Sequence, residues 1–203
     1  EYEYHSEASY VNYLWDHHPQ DPPDSGLIIN ISQRYADSTY GSPTTRLTKI
    51  NGYDWYYVRG SAQDAIFGIW GGIGTTIETQ QPRQRSQIDS ICFVNRRALL
   101  DMITLAGYGI RGTVRDSITS EPLFALVQLT NHLRWSVYTD KNIGDFHKMV
   151  EPGIYTVKVS AQGYETRVIE NVIVPTQGSA NLDILLTPSN SFDNHIQKLV
   201  WVR

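Results

Sequence analysis

Pro152-Gly153-Ile154-Tyr155-Thr156-Val157-Lys158-Val159-Ser160 reads as a turn followed by one half-buried strand, with Tyr155, Val157 and Val159 on one side and Thr156 and Lys158 on the other. Working outward, Gly109 to Asp116, Phe124 to Thr130, Trp135 to Thr139, Arg167 to Val174 and Asn181 to Thr187 are further short, β-branched-rich runs. Gly, Pro, Asn and Asp turns separate them. Strands at this spacing, each alternating a core face with a wet one, predict a small antiparallel sandwich with no helix. The turn motif Pro152-Gly153 and the later Gly163-Tyr164-Glu165 set corners, and their tyrosines read as core or corner residues. No catalytic set falls in this part.

The texture changes near Ala106 to Tyr108. Upstream, Asp24 to Tyr40 reads as a helix: Asp24 or Ser25 can cap it, Leu27, Ile28, Ile31 and Tyr35 recur at helical spacing, and Gly41 ends it. A second helix opens on the S-x-x-D pattern of Ser86 and Asp89. It carries Ile88, Cys92, Leu99, Met102 and Ile103 on one face and stops at Gly107. Between the helices lie a Gly- and Tyr-rich loop region and a strand from Ile73 to Glu78. The expected organisation is therefore an α/β part over 1–106 and an all-β sandwich over 107–188. Residues 189–203 form a tail or the start of a further domain, with Leu199-Val200-Trp201-Val202 as a new apolar run.

With 203 residues, 40% of them hydrophobic, the chain can bury a core, and a net charge of -4 without a Lys/Arg block excludes a nucleic-acid footprint or an anionic membrane surface. The single cysteine, Cys92, rules out an internal disulfide and is expected to be a buried, inert thiol. No apolar run approaches the roughly 18 residues of a membrane helix. Glu1-Tyr2-Glu3-Tyr4 resembles no signal peptide, and a chain opening on such an alternating segment is expected to begin inside a domain.

The chemistry-bearing residues lie in three blocks. They are His5-Ser6-Glu7 with Asn12-Tyr13-Leu14-Trp15-Asp16, then Asn51-Gly52-Tyr53-Asp54-Trp55-Tyr56-Tyr57-Val58-Arg59-Gly60-Ser61-Ala62-Gln63-Asp64, then Gly74-Thr75-Thr76-Ile77-Glu78. Over these blocks residues 1–106 resemble the C-terminal third of an M14 zinc carboxypeptidase catalytic domain. Residues 107–188 resemble the transthyretin-like domain that follows it in the carboxypeptidase N, E and D branch. The middle block is similar to the family's N-G-x-x-W-Y-x-V-x-G-G-M-Q-D, and Glu78 then falls at the family's catalytic glutamate without a gap. Two departures stand out: Leu14 replaces the usual proline, and Glu7 replaces the second glycine.

The resemblance implies a partial α/β/α metallocarboxypeptidase domain that removes C-terminal residues from peptides and proteins outside the cell. Zinc hydrolysis of a peptide needs three protein ligands and an open position. His5 is implied as one ligand, and Glu78 as the carboxylate that moves the water's proton. Tyr56 is implied as a phenol closing over the substrate. Gln63, Tyr13 and Ser6 are implied at the substrate site, Gln63 on the floor of the side-chain pocket. Taken alone, a strand histidine is commonly a hydrogen-bonded structural residue, and Tyr56 and Trp55 are commonly packing residues. His17-His18, beside Asp16 and Asp21, reads as a solvated turn.

None of the six histidines has a glutamate three residues later, so the family's first metal motif, His-x-x-Glu, is absent. The Asn-Arg pair that would hold the substrate carboxylate has no counterpart upstream of His5; Asn95-Arg96 lies in the second helix. One ligand of three predicts weak or absent zinc binding. The chain is expected to be a fragment that relies on the missing N-terminal part of the catalytic domain. A different class remains open: a non-catalytic binding or adhesion module that recognises a protein or glycan surface with a degenerate peptidase remnant.

Overall fold

The computed structural model describes residues 2–6, 8–22, 24–39, 46–130 and 135–189. The chain divides into two compact units, Glu1–Ala106 and Gly107–Arg203.

In the first unit β1 (Tyr2–Ser6), β2 (Tyr10–Tyr13), β3 (Thr48–Asn51) and β4 (Thr75–Thr79) form one sheet in the order β1-β4-β2-β3. β1 runs parallel to β4 and β2 parallel to β3, whereas β2 and β4 are antiparallel. Four helices accompany it: α1 (Ser25–Ser38), α2 (Gly52–Trp55), α3 (Ala62–Trp70) and α4 (Arg85–Leu105). β4 is an inner strand and every residue of it is buried, polar ones included. Alternation along the strands sends Tyr2, Tyr4, Val11 and Ile77 to one face and Glu3, His5, Asn12, Thr76 and Glu78 to the other. The first face carries α1 and α4: Tyr35 of α1 stacks on Tyr2 at 5.4 Å, lies 2.6 Å from the Tyr4 hydroxyl and donates to Asn95 Oδ1 at 2.9 Å.

Both expected helices form, with differences. Asp24 precedes α1 in a left-handed conformation (φ 59) and makes no side-chain cap bond; Tyr40 and Gly41 lie outside the described residues. In α4, Ser86 and Asp89 do not cap. Gln87 Oε1 instead accepts the backbone N–H groups of Arg83 and Gln84. Of the face expected to be the core of α4, Met102 is buried as expected and Leu99 half-buried, but Ile88, Cys92 and Ile103 are turned outward. Val94, Asn95, Ala98 and Met102 are buried, while Ile88 is 48% and Ile103 72% exposed and Cys92 is an exposed thiol rather than a buried one.

The second unit has β5 (Gly109–Asp116), β6 (Leu126–Leu129), β7 (Val137–Tyr138), β8 (Asp145–Lys148), β9 (Gly153–Ser160), β10 (Arg167–Val174) and β11 (Ser179–Leu186). They make two sheets, β10-β9-β6-β7 and β11-β5-β8. Ile110 and Val114 of β5, Val127 of β6, Phe146 of β8, Val157 and Val159 of β9, and Ile184 of β11 share one buried core, which makes the pair a sandwich consistent with the transthyretin-like arrangement. The expectation of an antiparallel sandwich holds for the first sheet only. β11 runs parallel to β5, and Gly112 permits it: a Cβ there would lie 1.8 Å from the Leu182 carbonyl oxygen. β8 was not anticipated. At the edge of the other sheet, β10 shifts register between Ile169 and Val172 around Asn171, whose φ is 57. Residues 190–203, which make up all but the first residue of the segment expected to be a tail or the start of a further domain, lie outside the described residues.

Candidate functional site

The polar face of the first sheet gathers the candidate residues. His5 on β1 and Glu78 on β4 are register partners, and parallel pairing turns both side chains to the same face. His5 Nδ1 lies 3.5 Å from Glu78 Oε1, with 58% of the histidine side chain exposed against 4% of the glutamate side chain. The buried partner is thus a carboxylate and the accessible one an imidazole. Thr79 Oγ1 donates to the His5 backbone carbonyl at 3.0 Å and ties the two strands at this level.

One step along the same face, Thr76 Oγ1 donates to Gln63 Oε1 at 3.0 Å, and Gln63 Nε2 donates to Asp16 Oδ1 at 2.8 Å. Asn12 Nδ2 adds a third donor to the same carboxyl at 3.3 Å. α3 positions Gln63, which is buried, because Ser61 caps that helix by accepting from Asp64 N–H at 3.4 Å. Asp64 in turn clamps the loop after β2. Its carboxylate accepts the backbone N–H of Asp16 at 3.0 and 3.2 Å, the N–H of His17 at 3.2 Å and the His17 ring Nδ1–H at 2.6 Å. Gly52 closes the arrangement from above: a Cβ there would stand 1.7 Å from Asp16 Oδ1 and 2.9 Å from Asn12 Oδ1.

Burial pushes the Asp16 carboxyl above its ordinary pKa, and the nearby Asp64 charge acts in the same direction against the hydrogen bonds from Ser61, Asn12 and Gln63. Asp16 makes no ion pair among the described residues. Asn12 Oδ1 is buried without a hydrogen-bond partner. The face therefore holds acceptors in excess of donors.

Tyr56 follows α2 and is 53% exposed. An aromatic chain links it to the site: Tyr10, the register partner of Glu78 on β2, meets Trp55 at 5.3 Å, and Trp55 meets Tyr56 at 4.6 Å. Ser6 and Tyr13 are not brought to this face, because each alternates to the side of Tyr4 and Val11. Glu7 lies outside the described residues. His17 and His18 lie in an exposed, bent segment, as the solvated turn required, but Asp64 accepts from the His17 ring at 2.6 Å while His18 Nδ1 accepts Gln20 N–H at 3.1 Å. Asp16, Asn12, Asp64, Thr76 and Gly52 lie within the three blocks singled out from the sequence, but no role at the site was expected of them. Next to two histidines Asp16 reads as wet, and nothing local reveals that Gln63 and Gly52 bury it.

As a zinc site the set is incomplete. No group of three or more His, Cys, Asp or Glu side chains that could hold a metal exists among the described residues. His5 and Glu78 alone do not fit a three-ligand ion.

Comparison with known proteins gives the class first. Residues 109–187 match the carboxypeptidase regulatory-like domain family, so the sandwich is a domain of that kind. Mouse (Mus musculus) carboxypeptidase D is 28% identical over 68% of this chain and 10% of its own length. Chicken (Gallus gallus) carboxypeptidase Z is 24% identical over 92% of this chain and 32% of its own length. The catalytic chain of rat (Rattus norvegicus) carboxypeptidase N is 28% identical over 73% of this chain and 32% of its own length. The chain thus spans from a tenth to about a third of these relatives. Among the described residues no helix is long and apolar enough to cross a membrane.

Proposed function

We propose that residues 1–106 are the C-terminal part of a zinc metallocarboxypeptidase catalytic domain, followed by its regulatory-like sandwich, in an enzyme acting on peptide and protein C-termini outside the cell. The observation that carries this is the level pairing of His5 and Glu78, an accessible imidazole over a buried carboxylate, 3.5 Å apart on neighbouring strands. Support also comes from the carboxypeptidase Z alignment, which covers 92% of the chain and so extends well beyond residues 109–187. His5 would supply one ligand to a zinc ion only if the others came from polypeptide outside this chain, and the ion would then polarise the scissile carbonyl. Glu78 takes a proton from the water that adds to the scissile carbonyl and delivers it to the departing amine, so the C–N bond breaks as N–H forms. Tyr56 hydrogen-bonds the substrate from the loop after α2. Asp16, uncompensated beside Gln63 and Asn12, favours a terminal side chain that brings hydrogen-bond donors.

The test is release of the terminal residue from an N-blocked dipeptide by the full-length gene product and by its Glu78→Gln variant. Loss of about 10²–10⁴-fold in kcat with an unchanged circular dichroism spectrum is expected. Full activity in the variant refutes the assignment. Residues 1–203 alone are expected to bind no stoichiometric zinc in a calorimetric titration, and tight one-to-one binding would contradict the division of the ligand set.

A further inference from the structure

Tyr10, Arg46, Thr48, Trp55, Gln80 and Gln81 help to line a cleft of about 870 Å3 in the first unit. Tyr10 is the register partner of Glu78 on one side and of Thr48 on the other, so its ring and the Thr48 side chain stand on the face that carries Glu78. Trp55 meets the Tyr10 ring edge-on, with the planes 68° apart, and its other aromatic neighbour is Tyr56. The cleft therefore opens beside Glu78 and is walled by the aromatic chain that ends on Tyr56. Both rings are half-buried. Arg46 is the one charged side chain among these six, and its Nη2 lies 3.2 Å from Asp37 Oδ1. The walls thus present ring surface and neutral polar groups, with their one charge already answered.

We infer that this cleft is a substrate subsite that selects an aromatic side chain at the third position from the C terminus of the peptide, with Trp55 and Tyr10 as its specificity-determining residues. This rests on the proposed function and deepens it. The direction of the substrate follows from β4. Thr76, joined through Gln63 to Asp16, lies two residues before Glu78, and Gln80 lies two residues after it. A peptide whose terminal side chain meets Asp16 and whose scissile carbonyl stands at Glu78 continues toward Gln80, advancing about 3.3 Å per residue. The penultimate residue carries that carbonyl, so the next one back comes level with Tyr10 and Trp55. A planar ring gains most from such walls, because aromatic pairs attract in offset or edge-to-face contact at about 4.5–7 Å between centroids. Acidic and basic side chains gain nothing comparable, since Asp37 already balances Arg46.

Two N-acetyl tetrapeptides test this, alike except for phenylalanine or alanine at the third position from the C terminus. For the full-length gene product, kcat/KM is expected to be about tenfold higher with the phenylalanine peptide, through KM rather than kcat. The full-length Glu78→Gln protein is expected to bind that peptide about tenfold more tightly in calorimetry. Trp55→Leu brings both ratios to about one, and Trp55→Phe, which restores a ring, retains most of each. Each ratio compares two peptides on one protein, so partial misfolding of a variant leaves it unchanged. Equal constants for the two peptides overturn the inference, and so does a preference that persists when Trp55→Leu is combined with Tyr10→Leu. Release of the terminal residue from both peptides at equal rates sinks the subsite and leaves the functional reading standing. Tighter binding of the phenylalanine peptide by a protein that hydrolyses neither sinks the functional reading and leaves the subsite.

Discussion

Replacing Gly52 by alanine tests the arrangement of the candidate site directly. The added methyl would sit 1.7 Å from Asp16 Oδ1, 2.8 Å from Asp16 Cγ and 2.9 Å from Asn12 Oδ1, all of them buried. No rotation of the methyl relieves this, so the Asp16 carboxyl must leave the position where Gln63 and Asn12 donate to it. Hydrogen bonds to a charged group contribute about 1.5–3 kcal/mol each. The longer Asn12 contact stands at the low end. Against that, alanine in place of glycine in a helix gains at most about 1 kcal/mol. A net loss of about 2–4 kcal/mol in the first unit follows, measured by urea unfolding with Trp15 and Trp55 fluorescence as the signal. In an Asp16→Ala background the obstructing carboxyl is gone, and Gly52→Ala is expected to lose less than about 1 kcal/mol, a coupling near 2 kcal/mol in the double-mutant cycle. Strictly additive effects, or a Gly52→Ala protein as stable as the parent, would refute the close approach of Gly52 to Asp16.

Two further outcomes concern pH. Asp16 has a folded pKa raised above its ordinary 3.8, so the folded state holds the proton more tightly and stability falls as pH rises through the interval above 3.8. Asp16→Asn abolishes this, and the melting temperature of the wild type minus that of the variant should decline as pH rises. Asp116 behaves in the opposite sense: the Tyr164 hydroxyl at 2.7 Å and the backbone N–H groups of Thr119 and Ile118 hold its carboxyl below 3.8. Its contribution is present above that value and lost as pH falls through the lowered one, so the advantage of the wild type over Tyr164→Phe should shrink in acid thermal melts.

The sandwich was legible because period-two alternation is a local signal: Tyr155, Val157 and Val159 are buried as their spacing demands. β8 escaped because Asp145-Phe146-His147-Lys148 has no β-branched residue, although it alternates exposed and buried positions. The parallel pairing of β11 with β5 depends on which edge a strand reaches, and spacing carries no such information. In α4 two faces satisfied helical periodicity equally. Tyr35, reaching Asn95 from a helix 60 positions away, marks the face that is buried, and no window around α4 contains that choice. His5 and Glu78 could be paired from the sequence only through the family resemblance, since 73 positions separate them and neither neighbourhood names the other.

The bulge at Asn171 gives the second unit a form of self-restraint. An uninterrupted β10 would present eight residues of regular backbone, with Val168 and Ile173 already facing outward, as a template on which another copy could build a ribbon. The register jump between Ile169 and Val172 breaks that template in its middle, because two half-edges out of step cannot both be matched by one straight incoming strand. The domain can thus be present at high local concentration without seeding fibres from its own rim.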